Sequence, residues 1–105
     1  MKRGEVHLVR LDPTLGSAIQ KTRPCVIVSP DELNAHLRTM IIAPMTTRGR
    51  AYPWRIRCRF QRQSGYVVLD KLRTVDRERL VKRLGALSTE TMAEVLGSLQ
   101  EMFAE

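Results

Sequence analysis

The chain alternates between short apolar runs and polar segments. Residues 6–11 have strand character and end at Asp12-Pro13. Residues 25–28 and 40–43 are continuous apolar runs, which are typical of strands buried on both faces. Residues 66–69, directly after Gly65, predict a further strand. The pattern therefore indicates several short strands in the first two thirds of the chain.

From Trp54 onwards, apolar and basic residues alternate, so that a strand would carry them on opposite faces. One face would hold Trp54, Ile56, Cys58 and Phe60, and the other Arg55, Arg57 and Arg59. Six arginines lie between Arg48 and Arg62. A solvated strand surface is the commoner explanation of such a face, and a binding site for a phosphate backbone is the alternative.

Three capping residues predict helices. Ser29, followed by Pro30, predicts the start of a short helix, and Asp76 predicts a second one over residues 77–83. Ser88 is expected to cap the last helix, whose apolar stripe would be Met92, Val95, Leu96, Leu99, Met102 and Phe103. The element order predicts a single domain over residues 1–105, mainly β with helices (α+β), in which a bent sheet closes into a small barrel with a C-terminal helix.

The net charge of the chain limits the classes of molecule that we expect it to bind. The chain has 105 residues, 18 basic and 11 acidic, with a formal net charge of +7 and a pI of about 10.3. Such a balance attracts nucleic acid, an acidic protein segment or an anionic membrane, although simple solubility would also explain it. The last helix offers glutamates rather than lysines on its polar face, which argues against a membrane.

The two cysteines indicate a reducing compartment. Cys25 and Cys58 form no C-x-x-C pair and lie in apolar stretches, so we expect buried free thiols. We see no secretion signal and no apolar run of membrane-spanning length, and we expect a cytoplasmic protein. His7 and His36 have no partners at metal-ligand spacing, so neither a metal nor another cofactor is expected.

Two polar loops, residues 14–23 and 46–52, carry the candidate chemistry. Pro24 restricts Arg23 to an extended conformation, so its guanidinium is positioned to bind a phosphate through two hydrogen bonds. The hydroxyls of Thr46 and Thr47 can donate to phosphate oxygens. A surface salt bridge for Arg23 and turn capping for the threonines are slightly favoured by the residues alone. Tyr52 is a candidate for stacking on bases.

Five stretches carry a family resemblance over nearly the full length. They are Arg3-Gly4-Glu5-Val6; Leu11-Asp12-Pro13-Thr14 with Gly16-Ser17; residues 22–29 around Arg23-Pro24; residues 42–47 with Tyr52-Pro53; and residues 65–80, including Leu69-Asp70-Lys71-Leu72-Arg73-Thr74-Val75-Asp76. In this order and at these spacings, they resemble the MazF/PemK family of toxin–antitoxin ribonucleases.

The resemblance implies an SH3-like barrel of the CcdB–PemK type, a two-fold homodimer and an acidic, MazE-like antitoxin as partner. It implies cleavage of single-stranded RNA without metal, in which the RNA's own 2′-hydroxyl attacks and leaves a cyclic phosphate and a 5′-hydroxyl. Arg23 would then transfer a proton and contact the phosphate, and Thr46 would hold the scissile phosphate. The expected RNA-binding residues are Ser17, Ala18, Lys21, Thr47, Arg48, Arg50 and Tyr52.

Position 18 departs from the family pattern. The family usually carries a glutamate there, which can position RNA or assist proton transfer, whereas Ala18 can do neither. Either the enzyme uses Arg23 and Thr46 alone, or the alanine is an inactivating substitution. An impaired barrel that binds RNA or antitoxin therefore stays open. So does a CcdB-like gyrase poison, although the Arg23 and Thr46 loops argue against it.

Overall fold

The computed structural model describes residues 1–11 and 21–105. It has seven strands: β1 (Glu5–Leu11), β2 (Lys21–Ile27), β3 (Thr39–Thr46), β4 (Arg55–Phe60), β5 (Gln63–Val68), β6 (Arg73–Asp76) and β7 (Leu80–Ala86). The helices are α1 (Asp31–His36) and α2 (Thr89–Met102), with short 3-10 helices at Leu69–Lys71 and Arg77–Arg79. The predicted mainly β fold with a C-terminal helix is confirmed.

The strands form one curled antiparallel sheet in the order β4-β5-β3-β2-β1-β7, and β6 also pairs with β3. The two edge strands, β4 and β7, approach each other at the β4–β5 turn. The Gln61 side-chain amide donates to the Leu84 carbonyl at 3.1 Å, and a Cβ on Gly85 would lie 3.1 Å from the Phe60 ring. The sheet is therefore an open barrel whose edges touch through side chains.

Strand β2 is buried on both faces, as its continuous apolar run predicts. Cys25, Val26 and Ile27 are all completely buried. Val26 belongs to a large cluster with Met45, Val67 and the α2 residues Met92 and Val95, whereas Cys25 and Ile27 belong to a smaller one with Val9, Met40, Ile42 and Val75. Apolar packing on both faces gives the β2–β3 pair a rigid frame.

The predicted alternation along β4 is confirmed. Ile56 and Cys58 are buried, whereas Arg57 and Arg59 are exposed. Trp54 packs against the large cluster just before the strand begins.

Helix α2 begins where its cap was predicted. The Ser88 hydroxyl accepts a hydrogen bond from the Thr91 amide at 3.1 Å, and Met92 and Val95 are buried beneath the helix. Phe103 was wrongly included in the packed stripe: it lies one residue beyond the helix and is 72% exposed. The helix ends before its next turn can bring Phe103 back onto the sheet.

Ser29 does not cap α1. Pro30 occupies the cap position, and the Ser29 hydroxyl instead donates to the Asn34 side-chain oxygen at 2.5 Å and accepts from the Ile41 amide at 3.0 Å. Both Ser29 and Asn34 are buried, so hydrogen bonding satisfies them internally and ties α1 to β3.

Two segments were assigned to the wrong structure. Lys21 to Arg23 were placed in a loop, but they belong to β2 and pair with β1; the remainder of that segment, residues 14–20, lies outside the described residues. The helix predicted over 77–83 is a single 3-10 turn followed by β7. Asp76 does accept a hydrogen bond from the Glu78 amide at 2.9 Å, but pairing with β1 then extends the chain. Long-range pairing outweighs the local helix signal.

Gly65 allows β5 to approach the end of β3. A Cβ at this position would lie only 2.2 Å from the Thr46 carbonyl oxygen, a distance that no side chain can occupy. The backbone of Thr46 is therefore packed directly against that of β5, where Thr46 pairs with Tyr66.

We expect Gly65→Ala to destabilise the fold by roughly 1–3 kcal/mol or more, because the clash is with backbone atoms that cannot rotate away. The matched control is Gly97→Ala in α2, where a Cβ meets nothing within 4 Å. That substitution should raise stability by about 0.5–1 kcal/mol, because alanine favours the helix. Urea unfolding monitored by Trp54 fluorescence measures both. Equal stability of the two variants would contradict the close approach of β5 and β3.

Candidate functional site

The site begins where the β2–β3 ladder ends. Their pairing runs from Ile27 opposite Ile42 to Cys25 opposite Pro44. Pro24 and Pro44 have no amide hydrogen, so this end of the ladder lacks two donors. Arg23 and Thr46 lie two residues beyond this last pair. Both of these residues, which the sequence singled out, line the same opening.

That opening is a cleft of about 850 Å³ between β2, the end of β3 and the β4–β5 hairpin. Its charged lining residues, within the described part of the chain, are all cationic: Arg23, Arg48, Arg55, Lys71 and Arg73. No carboxylate or imidazole is among these described lining residues. A concave surface with charge of one sign concentrates anions.

Lys71 and Arg73 reach the cleft from the side opposite Arg23. Arg73 pairs with Ile42 through β6, on the other side of β3 from β2. Neither residue, nor Arg23 or Arg48, has an ion-pair partner within residues 1–11 and 21–105. Among the described residues, these four side chains therefore have no carboxylate partner, and their positive charge is open to a ligand.

The Thr46 hydroxyl is oriented by its own loop. Its oxygen accepts a hydrogen bond from the Arg48 amide at 3.1 Å. A hydroxyl has one hydrogen to donate and two lone pairs, so this contact leaves the hydrogen available to a ligand oxygen.

Arg55 differs from the other cations because it has a carboxylate partner. Its Nε and Nη2 atoms donate to Asp70 Oδ1 and Oδ2 at 3.2 and 3.3 Å, and its guanidinium lies 5.0 Å from the centre of the Tyr52 ring. Hydrogen bonding to Arg55 lowers the pKa of Asp70, and the same bonds raise the pKa of Arg55. The pair is therefore ionised over the whole neutral range.

The cysteines do not supply a nucleophile. Burial raises the pKa of Cys25 to about 12, despite the opposing charges of Arg23 and Arg73. Burial also raises the pKa of Cys58, which lines the cleft. Both thiols are buried and free, as expected. Neutral thiols are poor nucleophiles and poor metal ligands, and no group of three or more His, Cys, Asp or Glu side chains that could hold a metal occurs among the described residues.

The family follows from comparison with known proteins. Residues 2–103 match the model of the PemK-like, MazF-like toxins of type II toxin–antitoxin systems. The chain belongs to this toxin family. It is 38% identical to the endoribonuclease PemK of Escherichia coli, over 94% of this chain and 79% of that protein.

Solved structures show that the toxin has the family fold. A MazE–MazF structure (Form-II) from Deinococcus radiodurans matches with a TM-score of 0.84 and 27% identity, over 97% of this chain and 94% of that one. A mycobacterial endoribonuclease in complex with its cognate antitoxin matches with a TM-score of 0.79 and 25% identity, over 96% and 92% of the two chains. The barrel expected from the resemblance is confirmed.

The predicted site residues of the toxin fall into three groups. Arg23, Thr46, Thr47 and Arg48 line the cleft, and Tyr52 lies beside it under Arg55. Lys21 and Arg50 are exposed and are not among the lining residues. Ser17 and Ala18 lie outside the described residues. The roles given to all of these residues stay predictions.

The sequence interpretation missed Arg55, Lys71 and Arg73. Arg55 was assigned to the outward face of β4, but its long side chain turns back towards Asp70. Lys71 and Arg73 belong to a 3-10 turn and a four-residue strand, which are too short to give a periodic signal.

Within the described residues, no helix is long and apolar enough to cross a membrane.

The Arg55–Asp70 pair predicts a pH-dependent contribution to stability. Because Asp70 has a lowered pKa in the folded toxin, the pair stabilises the fold above the unfolded-state value of about 3.9, and this is lost as pH falls through the lower folded value. We expect wild type to be slightly more stable than Asp70→Asn above pH 5, by under about 1 kcal/mol for a partly exposed pair. The difference should shrink as pH falls below the unfolded-state value, because Asp70 then becomes protonated and neutral like asparagine.

Urea midpoints of the two proteins, measured across this pH range, test the prediction. A difference that stays constant down to pH 2, or that grows as pH falls, would contradict an ionised Asp70 in the folded toxin.

Proposed function

We propose that the toxin is an endoribonuclease that cleaves single-stranded RNA at short sequence motifs, without a metal ion. The observation that carries the proposal is that Arg23 and Thr46 line one cleft whose described charged lining residues are all cationic. The 38% identity to an Escherichia coli protein named as an endoribonuclease supports it. RNA supplies the phosphates that such a cleft attracts.

In the proposed reaction, the RNA provides its own nucleophile. The 2′-oxygen attacks the adjacent phosphorus and the 2′-hydroxyl proton is lost. The bond from phosphorus to the 5′-oxygen then breaks, and that oxygen takes up a proton. The products are a 2′,3′-cyclic phosphate and a 5′-hydroxyl. This route needs no protein nucleophile, in keeping with the neutral thiols of Cys25 and Cys58.

We assign Arg23 to phosphate contact and proton transfer. A guanidinium can donate two parallel hydrogen bonds to non-bridging phosphate oxygens, which become more negative as the phosphorus gains a fifth oxygen. We assign the Thr46 hydroxyl to a third hydrogen bond to the same phosphate, since its hydrogen is available. Arg48, Lys71 and Arg73 add positive charge around that phosphate.

We further propose that RNA extends beyond the cleft. Thr47 and Arg48 would contact the phosphate next to the scissile one, and the ring of Tyr52 would stack on a base. Ser17, Ala18, Lys21 and Arg50 are assigned to flanking nucleotides. The two exposed basic residues of this group would act mainly through long-range attraction, which salt weakens.

We propose that the toxin acts in the cytoplasm as a homodimer and is inhibited by an acidic antitoxin. The net charge of +7 supports an acidic partner, and a mycobacterial structure similar to this chain is described as an endoribonuclease with its cognate antitoxin. A disordered acidic segment of the antitoxin would fold onto the cationic cleft and offset its ordering entropy through charge pairing.

Arg23→Ala should reduce RNA cleavage by about 100- to 1000-fold, the usual effect of removing one donor from a transition-state oxyanion site. Lys82→Ala is the matched control, because it also removes one exposed positive charge, but from β7 outside the cleft. Cleavage of a long single-stranded RNA in the presence of chelator, with the 5′ ends mapped, measures both. Normal cutting by a folded Arg23→Ala protein would refute the mechanism.

The same assay with Ala18→Glu tests the role of position 18. Cleavage by wild type and Ala18→Glu at a shared motif would show that Arg23 and Thr46 suffice. Cleavage by Ala18→Glu alone would identify the present chain as an inactive form of the same enzyme. Salt-sensitive RNA binding by both proteins, without any product, would favour a barrel that only binds RNA or antitoxin.

A further inference from the structure

We propose that Arg55 and Asp70 are positioning residues that hold the Tyr52 ring at the rim of the cleft as a stacking platform for an RNA base. The inference rests on the proposed function, because it assumes that RNA is the ligand of the cleft. It assigns a role to Arg55, which among the described cations of the cleft is the one with a carboxylate partner.

The geometry of the Arg55–Asp70 pair favours orientation over attraction. Both oxygens of Asp70 accept hydrogen bonds from the guanidinium, at 3.2 and 3.3 Å, so the plane of the guanidinium is set. The Arg55 side chain is only 20% exposed, and that of Asp70 is 42% exposed. An arginine whose charge is paired in this way adds little to the attraction of phosphates, but it can hold a neighbouring ring.

Backbone hydrogen bonds connect both residues to the same short segment. The Arg55 amide donates to the Tyr52 carbonyl at 3.0 Å, and the Leu69 amide, next to Asp70, donates to the Trp54 carbonyl at 3.0 Å. The turn that carries Asp70 and the segment that carries Tyr52 are therefore joined twice, once through backbone and once through side chains.

The loop between β3 and β4 also packs on Arg55 near its beginning. Gly49 has a φ of +106°, and a Cβ there would lie 3.5 Å from a guanidinium nitrogen of Arg55. One residue earlier, the Arg48 amide is bound to the Thr46 hydroxyl. Arg55 thus contacts the ring of Tyr52 and lies close to the backbone at Gly49, so the same side chain is next to both ends of the loop segment 49–52.

Tyr52 is suited to stacking on a base. Tyr52 is 52% exposed, and the Arg55 guanidinium lies 5.0 Å from the centre of its ring. One side of the ring is thus supported by a cation, while the residue remains open to solvent. Aromatic rings with such exposure stack on bases in single strands.

The direction in which Asp70→Asn changes the affinity for RNA distinguishes a positioning role from a purely electrostatic one. Asp70→Asn raises the net charge of the chain by one and replaces the two carboxylate oxygens that orient Arg55 with a single neutral acceptor. If the cleft acted only as a positive field, RNA would bind more tightly. If Asp70 positions Tyr52 through Arg55, RNA binds less tightly despite the added charge.

The experiment measures the anisotropy of a labelled, single-stranded 2′-O-methyl RNA of mixed sequence, which cannot be cleaved through a 2′-hydroxyl. Glu94→Gln is the matched control, because it also removes one exposed negative charge, but from α2. We expect Asp70→Asn to weaken binding about 3- to 10-fold relative to this control, and Tyr52→Leu to have a similar effect, as for the loss of one stacked base. Tyr52→Phe should bind like wild type.

The double variant Asp70→Asn/Tyr52→Leu should bind no more weakly than Tyr52→Leu alone, because both changes remove the same platform. Thermal unfolding of each variant establishes that it is folded. Tighter or unchanged binding by Asp70→Asn, or additive losses in the double variant, would overturn the inference. Because the probe lacks a free 2′-hydroxyl, these results are independent of whether the wild type cleaves RNA, so a failure of the proposed reaction is distinguishable from a failure of this inference.

Discussion

The pairing of β2 with β3 is the constraint on which the rest of the structure depends. Both strands are packed on two faces by apolar side chains, so their relative register is strongly specified. The last pair of their ladder is Cys25 with Pro44, and Pro24 and Pro44 both lack amide hydrogens. Arg23 and Thr46 lie two residues beyond that pair and line the cleft. The same ladder that completes the core thus also brings the two candidate catalytic side chains to one opening.

The cleft also has an electrostatic cost. Four cations without ion-pair partners among the described residues face one opening, and like charges repel each other when the chain folds. An anionic ligand removes that repulsion, so the proposed RNA substrate and the proposed acidic antitoxin segment are both suited to this surface. Arg55 is treated differently, since Asp70 neutralises it at the rim. Among the described residues, the site therefore combines cations without a carboxylate partner, which attract anions, with one Arg55–Asp70 pair, which sets an orientation. Separately, Gly65 allows β5 to pack against the backbone of Thr46.

Sequence patterns predicted those parts of the fold in which local signal and long-range packing agree. The run at 25–28, the alternation from Trp54 and the cap at Ser88 all correspond to observed elements. The pattern failed where long-range contacts determine the local structure. Residues 80–83 were assigned to a helix but belong to β7, which pairs with β1. Ser29 was expected to cap α1, but its hydroxyl donates to the buried Asn34 side chain. Arg23 and Thr46 were singled out because each adjoins a buried apolar run; they belong to β2 and β3, and both line the cleft. Lys71 and Arg73 were missed because only the pairing of β6 with β3 brings them to the cleft.

In the proposed reaction, the RNA's own 2′-hydroxyl is the nucleophile, and the described residues of the cleft supply positive charge, hydrogen bonds and, at Arg23, proton transfer. The most direct measurement compares an RNA containing the mapped cleavage motif with the same RNA carrying a single 2′-deoxynucleotide immediately 5′ of the cut, both in chelator, with the product ends identified by mass spectrometry. We expect a 2′,3′-cyclic phosphate and a 5′-hydroxyl from the first RNA, and no cut at that position in the second. Cleavage at the deoxynucleotide, or products that carry a 5′-phosphate, would contradict the proposed reaction.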